Sequence, residues 1–168
     1  MKIVIRGYSG SGKSTLAQRL GAYYGVPVLH LDRVHWGRAW TERNDADKLR
    51  IVTDFMDQNE NWVIDGNYSN LLRERRLAEA DRIVLLLFNR FSCLRRVTKR
   101  YFRYRGQSRP DMGEGCTEKL DPPFIWWVLW RGHSRNKRRG FAAIAARYPE
   151  KTVILRSQRA LSRYTRLL

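Results

Sequence analysis

The stretch Gly7-Tyr8-Ser9-Gly10-Ser11-Gly12-Lys13-Ser14-Thr15 decides the fold. It matches G-x-x-x-x-G-K-[ST], the loop that cradles nucleotide phosphates. Residues 1–6, ahead of it, read as a short buried strand, and residues 15–20 carry helical spacing. The motif thus sits between a strand and a helix N-terminus, where free backbone N–H groups and the helix dipole favour an anion. This predicts that Gly7, Ser9, Gly10, Ser11, Gly12, Lys13, Ser14 and Thr15 bind nucleotide. Lys13 would reach the β- and γ-phosphates, and the Ser14 hydroxyl would ligate Mg2+.

The remaining pattern alternates strand and helix. Residues 28–31, 62–65, 82–88 and 152–155 read as further strands, the first of these ending at Asp32. The apolar run 82–88 suggests burial on both faces, as in a parallel sheet. Helices are expected over 45–58, 68–78 and 90–105, and from Ser157 to the end. One more starts behind Asp121, with Pro122 and Pro123 in its first turn, runs through the arginines near 138, and has Gly140 as a point of interruption. Residues 32–44 read as an ordered loop, and 106–121 as a breaker-rich one. The expected fold is a single three-layer α/β domain over 1–168, a P-loop NTPase with a five-stranded parallel sheet flanked by helices, plus a short lid.

The chain of 168 residues carries 33 Lys and Arg against 16 Asp and Glu, a net +17. Such a surplus points to polyanionic partners: nucleotide, nucleic acid or a phosphorylated metabolite. Cys93 and Cys116 form no C-x-x-C, and no Cys/His cluster has zinc spacing, so two free thiols in a reducing cytoplasm are expected. The longest apolar run, 124–130, is too short to span a bilayer. Residues 1–6 read as a strand rather than a signal peptide.

In parallel sheets ligands bind outside the carboxyl ends of the strands, which is where Gly7, Asp32, Asp65 and Asn89 fall. Asp65 fits a carboxylate that holds Mg2+ or its waters; a strand-ending Asp-Gly turn is the bland alternative. Asp32 would accept a proton from a substrate hydroxyl, position it, or simply cap a loop. Phosphoryl transfer relies on positive groups around the moving phosphoryl. Residues 90–139 hold 14 Lys and Arg against 4 Asp and Glu, flanking a loop that could close over phosphates. Arg96, Arg100 and Arg109 are the leading candidates, followed by Arg135 and Arg139. Trp36 and Trp40 could stack a base or sugar, or pack in the core. His30, His35 and His133 show no metal spacing.

Together with the phosphate loop, Leu31-Asp32, Trp36, Trp40, Trp62-Val63-Ile64-Asp65-Gly66-Asn67-Tyr68 and Arg109-Pro110-Asp111-Met112-Gly113-Glu114-Gly115-Cys116 resemble the bacterial DNA topology modulation protein family, adenylate-kinase-like P-loop proteins. The resemblance covers nearly the whole chain. It implies a nucleoside-kinase type of sheet, ATP at residues 7–15, an acceptor region around 32–60 and an arginine-bearing lid. Adenylate kinases carry Asp-Gly-Phe-Pro-Arg where this chain has Asp65-Gly66-Asn67-Tyr68, so the arginine that contacts AMP is missing here. That departure argues against AMP as acceptor.

The expectation is an ATP- and Mg2+-dependent kinase acting on a small acceptor held by Asp32, Trp36, Trp40, Gly66 and Arg73. A nucleotide-gated nucleic-acid-binding regulator is the rival reading, and a nucleotide switch or hydrolase a third. A monomer and a homodimer both fit, and no membrane partner is expected.

Overall fold

A computed structural model describes residues 1–107, 112 and 115–166. Five strands, β1 (Lys2–Gly7), β2 (Val28–His30), β3 (Trp62–Asp65), β4 (Arg82–Leu86) and β5 (Thr152–Leu155), form one sheet in the order β2-β3-β1-β4-β5. Every pairing is parallel, with Ile5 opposite Asp65 and His30 opposite Asp65. The apolar runs explain the sheet: Ile3, Val4, Ile5, Trp62, Val63, Ile64 and residues 83–86 are all fully buried. Such strands require helices on both faces.

The helices are α1 (Lys13–Tyr24), α2 (Leu31–His35), α3 (Asp45–Gln58), α4 (Arg73–Glu79), α5 (Arg90–Tyr104), α6 (Pro122–Leu129), α7 (Arg135–Arg147) and α8 (Gln158–Arg166). The β1-to-β2 connection runs along the sheet in the direction opposite to the others. Right-handed crossovers therefore put α1 on one face and α3, α4 and α7 on the other. Side chains agree: Arg19 of α1 donates to the Thr165 carbonyl of α8, while Arg147 of α7 pairs with Glu74 of α4 at 2.7 Å. β1 sits between β3 and β4, so the chain leaves its carboxyl end at the switch point of the sheet, where ligands bind.

The caps expected at Asp121 and Ser157 form, and Asn89 caps α5 as well. Asn89 accepts from Ser92 N–H, Asp121 from Phe124 N–H and Ser157 from Ala160 N–H. Several boundaries differ from expectation. β2 stops at His30, and Asp32 lies on α2 rather than at a strand end. Residues 32–44 are not simply a loop: α2 is followed by a 3-10 turn, Arg38–Trp40, with Ala39 and Trp40 at φ 51° and 62°. α4 begins at Arg73, because Leu72 takes left-handed angles. β4 ends at Leu86, two residues early. The tryptophan-rich helix breaks at Trp130, passes through a 3-10 turn (Arg131–His133) and restarts behind the Ser134 cap, whereas Gly140 lies inside an unbroken α7. In α5 Phe91 is exposed, and Cys93 and Val97 fill the core positions. In α3 Leu49 is exposed, while Lys48 is buried between Glu42 (2.7 Å) and Asp45 (2.8 Å). Among the described residues no helix is long and apolar enough to cross a membrane.

Candidate active site

The phosphate loop leaves β1 at Gly7 and enters α1 at Lys13. Gly12, at φ 97°, caps the helix, and a Cβ there would strike Arg96 Nη2. Arg96 reaches in from α5: its Nε donates to the Gly10 carbonyl at 2.9 Å, and its Nη1 donates to Gln158. Lys13 Nζ donates to the Tyr8 carbonyl at 3.1 Å, and Ser11 Oγ to the same oxygen at 2.7 Å. Burial pulls the Lys13 ammonium below the usual lysine range, against the opposing pull of Asp32 and Asp65. An anion arriving at the loop would restore it.

The tetrapeptide after β3 ties three parts of the site together. Asp65, 3% exposed, accepts from Ser14 Oγ at 3.1 Å and pairs with His30 Nδ1. Asn67 grips the loop entrance through its side-chain amide, donating to the Gly7 carbonyl (2.7 Å) and accepting from Gly7 N–H (3.2 Å). Tyr68 donates its hydroxyl to Asp32 Oδ1 at 2.9 Å. Burial, then the Asp32 charge, pushes that phenol well above its ordinary value. The pair Ser14 and Asp65 supplies oxygen ligands of the kind Mg2+ prefers, a few protein oxygens completed by water and nucleotide phosphate. Among the described residues no group of three or more His, Cys, Asp or Glu could hold a metal alone.

In front of these groups lies a cavity of about 910 Å3, whose lining does not include Asp65, Asn67 or Tyr68. Ser9, Gly10, Gly12, Lys13, Ser14 and Thr15 line it, as do Asp32, Trp36, Trp40, Arg96 and Arg100. Trp36 and Trp40 meet edge to face with centroids 5.5 Å apart, and Lys119 Nζ lies 5.4 Å from the Trp40 centroid. Cys116 accepts from Trp40 N–H at 3.2 Å and donates to the Gly37 carbonyl at 3.4 Å. Arg100 Nε donates to Glu118 at 3.1 Å. Cys116 and Glu118 thus tie their stretch of chain to the segment that carries both tryptophans and to α5.

Some expected site residues lie elsewhere. Arg73 does not line the cavity; it starts α4 and pairs with Glu74 at 2.8 Å. Gly66 packs against Leu31 instead of facing the cavity. Ser11 is buried on the Tyr8 carbonyl, and Gly7 is held by Asn67. Arg135 and Arg139 are exposed and do not line the cavity. Arg109 lies outside the described residues. Sequence reasoning placed Arg103 on one helix face with Arg96 and Arg100, but did not single out Arg95 and Lys99, which line the cavity with it at i, i+4 and i+8 of α5. The i+4 periodicity was the available signal. Phe124 and Trp127 of α6 line it as well.

No protein-family model and no curated protein sequence matches this chain. Solved structures do. A shikimate kinase from Bacteroides thetaiotaomicron superposes with a TM-score of 0.56 at 18% identity, over 99% of this chain and 97% of that one. A candidate kinase from Chloroflexus aurantiacus gives 0.50 at 17% identity, over 76% and 77%. An uncharacterized protein from Eubacterium ventriosum gives 0.50 at 13% identity, over 99% and 95%. The parallel five-stranded sheet with flanking helices and a phosphate loop between β1 and α1 is the α/β fold of P-loop kinases.

Proposed function

We propose that this protein is a kinase that moves the γ-phosphoryl of ATP, bound with Mg2+, to a hydroxyl of a small acceptor. The observation that carries the reading is one cavity lined by Lys13, by Ser14, whose hydroxyl donates to the buried Asp65 behind it, and by the Tyr68-held carboxylate of Asp32. Backbone N–H groups of residues 9–14 and the α1 N-terminus bind the phosphates. Lys13 moves from the Tyr8 carbonyl to the phosphates. Arg96 stays on Gly10 and braces the loop that holds them. Ser14 and Asp65 would hold Mg2+, which neutralises charge on the β- and γ-oxygens when bound. Asp32 takes the proton of the acceptor hydroxyl as its oxygen attacks the γ-phosphorus, and ADP leaves with the bridging oxygen. Trp36 and Trp40 flank the acceptor.

The same residues support kinship with the DNA topology modulation proteins. Asn67 and Tyr68, which replace the Phe-Pro-Arg of adenylate kinases, have defined tasks here on the phosphate loop and on Asp32. A second reading, nucleotide-gated binding of nucleic acid, is favoured by the row Arg95, Lys99 and Arg103, which is exposed and has no acidic partner among the described residues. The two separate in one experiment. ATP consumption is measured over a panel of hydroxylated acceptors, with a water-only control, for the wild type and Asp32→Asn. The kinase reading expects an acceptor-dependent rate that Asp32→Asn abolishes while ATP binding persists. No acceptor dependence, together with duplex or single-strand affinity that falls steeply with salt, would replace it with the second.

A further inference from the structure

Behind the phosphate loop lies a second cavity, of about 610 Å3, which shares no lining residue with the first. It opens at the carboxyl ends of β4 and β5, between them and α7. Its floor is aromatic. Tyr8, Phe88, His133 and Phe141 all face it, and each is more than nine-tenths buried. The Tyr8 ring lies 3.9 Å from the His133 ring and meets Phe141 edge-on at 5.4 Å. Its rim is cationic: Arg90, Arg138 and Arg156 line it, and among the described residues no acidic side chain does.

Several donors around this cavity have no acceptor among the described residues. The Tyr8 hydroxyl makes no hydrogen bond with any described residue, although the side chain is only 6% exposed. Arg138 spends Nε on the His133 carbonyl (3.2 Å), and its two Nη groups have no partner among the described residues. Arg90 and Arg156 have no acidic partner there either. Both His133 nitrogens are taken by carbonyls, of Val128 at 2.8 Å and Phe88 at 3.2 Å. The electrostatics agree: burial raises the Tyr8 phenol and Arg138 and Arg156 pull it back, while burial lowers the His133 imidazole, its carbonyl partners pull it up, and Arg90 and Arg138 add to the lowering. Like charges gathered over an apolar floor are costly unless something negative joins them.

We propose that this cavity is a second ligand site, which takes a small organic anion with an apolar ring. The ring lies on Phe88, His133 and Phe141; its carboxylate or phosphate accepts from the Tyr8 hydroxyl and the guanidiniums of Arg138 and Arg156. Such a ligand also reaches the phosphate loop through one residue, because the Tyr8 carbonyl holds Lys13 Nζ and Ser11.

The test uses two dyes on the full chain. One is 8-anilino-1-naphthalenesulfonate, an aromatic anion. The other is N-phenyl-1-naphthylamine, the same rings without the charge. Binding is followed by fluorescence with saturating Mg2+·ATP, so that the first cavity is filled. The anion is expected to bind about tenfold more tightly than its neutral analogue, the worth of one charge-assisted hydrogen bond. Arg138→Glu with Arg156→Glu should remove that advantage and leave the neutral dye unchanged. Ala142→Trp, which fills the cavity from an exposed position of α7, should abolish binding of both while retaining the wild-type unfolding midpoint. Displacement by benzoate or by phenyl phosphate supports the site and tells the two acids apart. Equal affinity for both dyes, anion binding indifferent to Ala142→Trp, or displacement by neither acid would overturn it. The Ala142→Trp comparison stands whether or not ATP is the true nucleotide.

Discussion

Tyr68 donates its hydroxyl to Asp32 Oδ1 across 2.9 Å, and so fixes the carboxylate that faces Lys13 in the cavity. One carboxylate oxygen is committed to the phenol; the other is left for an acceptor hydroxyl. Tyr68→Phe removes that anchor and leaves the ring. The acceptor-dependent rate should fall about tenfold, with the Kd for ATP unchanged and the unfolding free energy lowered by about 1 kcal/mol. A variant with wild-type turnover would free Asp32 from this dependence.

The bond from Ser14 Oγ to Asp65 Oδ2 at 3.1 Å brings together the two oxygens proposed for Mg2+. Asp65→Asn keeps the shape and removes the charge. Its Mg2+ requirement for ATP turnover should rise at least tenfold, with kcat falling about a hundredfold at the wild-type optimum. The readout is a Mg2+ titration of the rate. An unchanged midpoint would take Asp65 out of metal binding.

Asn67 bonds both polar atoms of Gly7, 60 residues away in sequence. Asn67→Ala loses both hydrogen bonds and should cost about 1–2 kcal/mol of stability. Asn67→Asp should cost more, because a carboxylate replaces the donor facing the Gly7 carbonyl. Both variants should weaken ATP binding, since the loop entrance is no longer held. Urea unfolding and ATP titration check this; equal stability of the two variants would show that the donor to Gly7 does not matter.

These contacts show where sequence reading succeeds and where it stops. The phosphate loop was legible because its chemistry is packed into nine consecutive residues. Asp65 was legible because an apolar strand ends there, and the parallel sheet followed from the apolar run beginning at Arg82. The tasks of Asn67 and Tyr68 were not, because their partners Gly7 and Asp32 are 60 and 36 residues distant and meet only after β3 docks on β1 and β2. Arg73 was misplaced for a local reason. A helix starting at residue 68 would have put it in the second turn, but the left-handed angles of Leu72 start α4 at Arg73 and turn it away from the cavity. Backbone angles of that kind at a leucine leave no mark in composition or periodicity.

Burial pushes the Cys93 thiol up to about 11, and the residue is fully buried. A folded-state pKa above the unfolded value contributes stability that is complete below pH 9 and is lost as pH rises toward 11. Tyr68 acts in the same direction from pH 10 upward. The unfolding free energy should therefore fall between pH 9 and 11, and the fall should be shallower in Cys93→Ala. At pH 8 the native thiol should not react with a disulfide reagent, since thiolate is the nucleophile. Rapid labelling of Cys93 in the native state would contradict its burial.

Ala39 and Trp40 both hold left-handed angles, φ 51° and 62°, beside Cys116, which accepts from Trp40 N–H. Each non-glycine residue there costs roughly 1 kcal/mol. Ala39 is exposed and contributes only a methyl group, so Ala39→Gly relieves strain with little loss of packing. Glycine gains entropy in the unfolded chain, which offsets part of the relief. The net expectation is a gain of up to about 0.5 kcal/mol, or no loss, in thermal unfolding. Ala39→Val should lose about 1 kcal/mol or more, because a β-branched side chain tolerates these angles worst. Cys116→Ala should make both substitutions matter less, since it frees the segment to leave the strained conformation. If Ala39→Gly destabilises as much as Ala39→Val, the turn is held by contacts of the Ala39 methyl rather than by the latch from Cys116.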